Sequence, residues 1–232
     1  MKNSTEYGKR ITGWWSSIRR SVEPPGETDP VAVLVLAILS RSCTLAAAQR
    51  ALDRICAECV DFNELRVTPE PDIVELLGAD FPEAQSKAGE LAKSLGYLFE
   101  TVHTVTLQHA ASKNKKELRS YLLGIPGLNS YSAGVIMLQA FRQQAVPLDE
   151  AVLGAMQTED LLPRDADHEE LSLWLERHID KSEAHAFWIV SKQWVAGEVE
   201  AAGSRKAIRK STGKSAAGAG SAKATRVARG RK

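Results

Sequence analysis

Apolar residues recur at helical spacing through most of the first 200 positions. An apolar run over 31–40 opens at Asp29-Pro30, with Asp29 placed to cap and Pro30 in the first turn, where a proline lacks no needed N–H. Thr44 is placed to cap a second helix over 45–59. A short helix follows over 72–77 and a longer one over 81–99, with Ala84, Ala88, Leu91 and Leu95 on one face. The segment 115–123 carries Leu118, Leu122 and Leu123. The next, 130–141, is apolar on nearly every face, which predicts a helix buried in the middle of the protein. Another helix begins near 150, and helices over 168–178 and 182–199 complete the set. Only 101–107 alternates like a strand, and we read it as an extended connector; 24–26 and 68–71, rich in proline, read as loops. The pattern predicts an all-α protein.

Punctuation between 122 and 133 carries more information than the periodicity. In Leu122-Leu123-Gly124-Ile125-Pro126-Gly127-Leu128-Asn129-Ser130-Tyr131-Ser132-Ala133, Gly124 stops one helix and Pro126-Gly127 makes a turn in which Gly127 is free to take a positive φ. Asn129 is the next most tolerant residue for such a backbone, and Ser130 is placed to cap the following helix. The N–H groups at that helix start favour an anion such as a phosphate oxygen. Such a contact positions a nucleic acid without reading its sequence. Taken alone, Pro-Gly is also what an ordinary turn between core helices looks like.

Val146-Pro147-Leu148-Asp149 follows the buried helix, and Asp149 precedes Glu150, Ala151, Val152 and Leu153 in a good N-cap context. A cap and a catalytic carboxylate are compatible roles. The helix start stabilises the anion, and a fixed anion is suited to face positive charge that develops in a transition state. Asp149 is therefore a candidate electrostatic stabiliser and water-orienting base.

The layout resembles the helix-hairpin-helix DNA glycosylases of the endonuclease III superfamily. Tyr131 and Asp149 stand 18 positions apart, the separation that family uses between its variable catalytic position and its aspartate. Pro30 to Thr44 looks like its first core helix and the loop after it, Lys87-Ala88 like its Lys-Ala pair, and Ala184-His185-Ala186-Phe187-Trp188-Ile189-Val190 like its last core helix. The resemblance covers about residues 29–195. It implies a two-lobed all-α helix-hairpin-helix glycosylase fold, double-stranded DNA as partner, Asp149 and Tyr131 as catalytic residues, and DNA contacts from Pro126, Gly127, Leu128, Asn129, Ser130 and Ser42. Where bifunctional members carry a strand-nicking lysine this chain has Tyr131, which implies base removal without strand cleavage. Set apart from the family, Tyr131 is equally a core aromatic. Ser42 replaces the glutamine many members push into the DNA stack, Asn129 replaces the second hairpin glycine, and Glu150, Ala151 and Gly154 are unusual after the aspartate. A non-catalytic DNA-binding protein of the same fold is thus the alternative function, and a protein-interaction scaffold with a nucleic-acid tail a third.

Composition adjusts this picture in two ways. The 232 residues, 44% hydrophobic, suit one medium domain or two small lobes, and the longest apolar run, 31–39, is far too short to span a membrane. Residues 1–20 lack the continuous apolar stretch of a signal peptide, so a cytosolic, nucleoid-associated monomer is expected. The net charge of +1 hides a split. Residues 201–232 hold ten basic residues, among them Arg205, Lys206, Arg209 and Lys210, and no acid, which leaves positions 1–200 at net −9. We expect that tail to be a disordered polyanion-binding arm, a composition that would also suit a solubilising or localisation tail. The boundaries expected are 1–28 for an N-terminal segment, 29–200 for the glycosylase-like domain and 201–232 for the tail. No cofactor is expected. The three cysteines, Cys43, Cys56 and Cys59, all precede the hairpin, and Ala196 stands about where the first iron–sulfur ligand of related chains would be. Cys56-x-x-Cys59 lacks a second ligand pair for zinc.

Overall fold

The computed structural model describes residues 4–23, 26, 28–78 and 80–199. Among them are eleven α-helices, one 3-10 turn and no strand. The expected tail contacts at Arg205, Lys206, Arg209 and Lys210 lie outside the described residues.

α1 (Ser4–Ile18) is followed by α2 (Pro30–Ser40), which starts where Asp29 accepts a hydrogen bond from Val31 N. α3 (Leu45–Glu58) starts at the Thr44 cap. α4 (Phe62–Val67) is too short to show a period, and Asp61 caps it. The loop expected over 68–71 is only half present. Glu70 and Pro71 lie in the first turn of α5 (Glu70–Leu77), where a proline costs no hydrogen bond. α6 (Ala84–Val102) takes up the start of the expected connector. It ends where His103 turns left-handed at φ 57°, and a 3-10 turn, Gln108–Ser112, follows. Asn114 and Glu117 form a reciprocal capping box at the start of α7 (Lys115–Leu123). α8 (Ser130–Gln139) is buried at every position from Tyr131 to Gln139, as its all-round apolar character predicts. α9 (Glu150–Thr158), α10 (His168–Leu175) and α11 (Ala184–Val195) complete the order.

The apolar faces gather into two cores. One unites α2 to α8 around Leu34, Ile38, Leu91 and Ile136. The other unites α1, α9, α10 and α11, with Trp14 set edge-on to Phe187 and to Trp194 at ring-centroid distances of 5.9 and 5.1 Å. The N-terminal segment thus adds a helix to the second core, held also by Trp15 Nε1 donating to Glu183 (3.0 Å). α11 serves both cores. Ala184 and Trp188 belong to the first, and Phe187, Val190 and Trp194 to the second.

α6 fastens two loops at once. Lys87, fully buried, donates to the carbonyls of Leu39 (3.1 Å) and Arg41 (2.7 Å) at the end of α2. Those carbonyls lack partners within their own helix and carry its negative dipole end. Arg41 in turn pairs with Glu90 (2.7 Å) and Glu83 (3.0 Å) of the same region. Two turns on, Ser94 Oγ donates to the Pro126 carbonyl (2.9 Å) and secures the hairpin.

Candidate active site

The hairpin joins α7 to α8 much as the sequence predicts, with two corrections. Gly127 takes φ +92°, the positive value expected of it. Asn129, however, is extended at φ −120°, and it rather than Ser130 is the N-cap of α8: its Oδ1 accepts from Ser132 N (2.9 Å). The cap moves back one residue because the asparagine carbonyl reaches the third N–H of the helix, the geometry of a side-chain cap. Pro126 is exposed, and Gly127, Leu128, Asn129 and Ser130 are half-buried, so the turn presents itself to a partner while its base is packed.

Tyr131, in the first turn of α8, is 2% exposed, and its hydroxyl lies 2.9 Å from Ser40 Oγ at the end of α2. Burial pushes the phenol well above its ordinary range, so it stays neutral. Trp188 of α11 is also buried, and its indole Nε1 has no hydrogen-bond partner.

Asp149 is the N-cap of α9 and is also nearly inaccessible, at 2%. Its Oδ1 accepts from Val152 N (2.9 Å). Its Oδ2 accepts from Ser42 N (3.3 Å) and forms an ion pair with Lys192. Ser42, in the loop after α2, takes a left-handed φ of 56°, and this turn presents its N–H to the carboxylate. The same Lys192 Nζ donates to the Ser40 carbonyl (2.9 Å) and lies 5.7 Å from the centre of the Tyr131 ring. Tyr131, Asp149 and Ser42 therefore converge on the end of α2, from three separate stretches of sequence.

The residue that sequence reasoning missed is Lys192. Two signals mark it. It is a lone cation among the buried positions of α11, and it stands four residues after Trp188, on the same helix face. Groups that could hold a metal are not assembled here: among the described residues no three of His, Cys, Asp and Glu come together, and Cys43, Cys56 and Cys59 are free thiols. An iron–sulfur cluster does not fit these residues.

No family model and no curated protein matches the chain by sequence. Solved structures match it by shape. A trapped endonuclease III–DNA covalent intermediate superposes with a TM-score of 0.62 at 16% identity, over 84% of this chain and 86% of that one. The chain has the helix-hairpin-helix DNA glycosylase fold. A thermostable thymine-DNA glycosylase gives a TM-score of 0.58 at 18% identity, over 84% of this chain and 87% of that one. The H. pylori 3-methyladenine DNA glycosylase bound to 1,N6-ethenoadenine gives 0.58 at 14% identity, covering 84% and 97% respectively. No helix among the described residues is long and apolar enough to cross a membrane.

Proposed function

We propose that this chain is a DNA N-glycosylase of base-excision repair, which binds double-stranded DNA as a monomer at the nucleoid and removes a damaged or mismatched base. The observation that carries this reading is the convergence of Asp149, Tyr131 and Ser42 on one helix end, in a fold shared with endonuclease III and a thymine-DNA glycosylase. Asp149 is an anion capped onto a helix start and shielded from water, where its charge acts in a low dielectric. It opposes the positive charge that the sugar gains as the glycosidic bond lengthens, and it orients the water that completes the reaction. Tyr131, a neutral phenol, cannot form an imine with the sugar. Base release then proceeds by hydrolysis, without coupled strand cleavage.

The hairpin residues 126–130 hold a phosphate of the same strand in this reading, and the basic residues of 201–232, among them Arg205, Lys206, Arg209 and Lys210, add unspecific attraction.

One observation favours the second reading, a non-catalytic DNA-binding protein: the ion pair with Lys192 occupies Asp149 and leaves the carboxylate shut in. Base release from a panel of duplexes carrying single lesions or mismatches decides between them. Release by the wild type, lost in Asp149→Asn with duplex binding retained, is the expected result. Binding without release from any duplex, under single-turnover conditions, supports the non-catalytic protein.

A further inference from the structure

Asp149 spends every accessible contact inside the protein. Oδ1 is taken by Val152 N, and Oδ2 by Ser42 N and Lys192. The two backbone donors belong to the cap of α9 and to the loop after α2, and both are part of the fold. The Lys192 side chain is different in kind. It is a point charge on a flexible four-carbon stem, reaching in from α11. It sits on the carboxylate while only 5% exposed, and its second acceptor is the carbonyl of Ser40. A positive sugar that approached Oδ2 would meet this ammonium first. Two cations cannot share one carboxylate oxygen in a dry site without strong repulsion.

We propose that Lys192 is a positioning residue that serves as the resident counter-ion of Asp149: it fills the cation's place in the empty site and gives it up to the positively charged sugar. This rests on the reading of Asp149 given above and goes beyond it. With the site empty, the lysine spares the protein an unpaired buried charge, which would be strongly destabilising, and keeps the carboxylate aimed. With DNA bound, the same lysine must leave Oδ2 before a positive group can take its place there, and this displacement weakens the pull of Asp149 on the cation. The stem allows the ammonium to swing away while α11, packed into both cores, stays fixed. Lys192 thereby competes with the cationic sugar for Asp149, lowers the preference of the site for a cation over a neutral group, and sets the strength with which Asp149 stabilises it.

The test needs neither a known lesion nor turnover. The full chain is titrated with two duplexes that differ at a single position. One carries a protonated pyrrolidine in place of a deoxynucleoside, and the other carries a neutral tetrahydrofuran. The ratio of the two affinities reads the cation's place alone, because general losses of folding or DNA binding cancel. Lys192→Met is expected to raise the preference for the cationic duplex by about tenfold or more, the order measured for close charge pairs at interfaces. Lys192→Arg, which keeps the charge, is expected to leave the ratio at the wild-type value, and the double variant Asp149→Asn, Lys192→Met to abolish the preference. Lys192→Gln, which keeps a donor to Asp149, takes the place of Lys192→Met if the latter melts below the assay temperature. An unchanged ratio in the neutral variants, with a clear cationic preference in the wild type, overturns the counter-ion role and leaves the glycosylase reading standing. Absence of preference in every protein, the neutral variants included, overturns the placement of Asp149 against the sugar, and the inference with it. A borohydride-trapped adduct of the wild type with an abasic duplex, mapped to Lys192, also overturns it, since the amine would then be a nucleophile.

Discussion

The carbonyl of Glu90 lies so close to Gly127 that a Cβ built on the glycine would stand 2.5 Å from its oxygen. The same Cβ would stand 2.7 Å from Ser94 Oγ. Gly127 is therefore doubly constrained, by its φ of +92° and by the approach of α6. Gly127→Ala should destabilise the chain by on the order of 3 kcal/mol, from backbone strain together with the clash. Chemical denaturation measures the loss. A cost under about 0.5 kcal/mol, the range of ordinary surface changes, would mean that the hairpin is not packed on α6 in this way.

Asp149 and Lys192 should be strongly coupled in stability. Removing one partner of a buried ion pair leaves the other charge uncompensated, at a cost of about 3–5 kcal/mol. Asp149→Asn and Lys192→Met should each lose on that order, and the double variant should lose less than the sum. A double-mutant cycle by urea denaturation gives the coupling. Additive losses would show that the pair does not form in solution.

Tyr131→Lys places an amine beside Ser40 and within the surroundings of Asp149, where the resemblance puts a strand-nicking nucleophile. Attack on the aldehyde carbon of an abasic sugar expels water and leaves an imine, which borohydride reduces to a stable amine. Trapping on a duplex with one abasic site is expected for this variant and not for the wild type. Equal trapping by both would place the active amine elsewhere in the chain.

Removal of residues 201–232 takes away ten positive charges and leaves an acidic body. Each phosphate neutralised contributes a slope of about −0.9 in log K against log salt. Truncation before Ala201 should flatten that slope by several units for duplex DNA. The same slope with and without the tail would assign the affinity to the helical body.

His185 gives the chain a predictable acid response. Burial, aided by the charge of Arg142, holds its imidazole below the ordinary value of 6.5, and its Nδ1 is buried with no partner. The unfolded chain therefore takes up the proton more readily than the folded one between the ordinary and the folded value. Stability should fall as the pH drops through that window and level off below it. His185→Gln should flatten this part of the curve of melting temperature against pH, and a curve unaltered by the change would assign the acid sensitivity to other groups.

Much of this molecule is written locally. The caps at Asp29, Thr44 and Asp149, the stop at Gly124, the turn at Pro126-Gly127 and the all-round apolar character of α8 depend on neighbours a few positions away, so they are legible in the linear chain. Together with the spacing of Tyr131 and Asp149 they were enough to indicate the all-α glycosylase fold. The shortest helix was not legible. α4 has six residues, fewer than two turns, and no period can emerge from it. The cap at Asn129 instead of Ser130 was also out of reach, because two adjacent residues were both good caps and only the packed geometry of the hairpin chose between them. The pairing of Lys192 with Asp149 lay furthest from the sequence. The two residues are 43 positions apart on different helices, and a lysine in an apolar helix carries no sign of which carboxylate it will meet. That contact exists because α11 packs into both cores and so brings its cation to the end of α2, a long-range consequence of burial that only the tertiary structure decides.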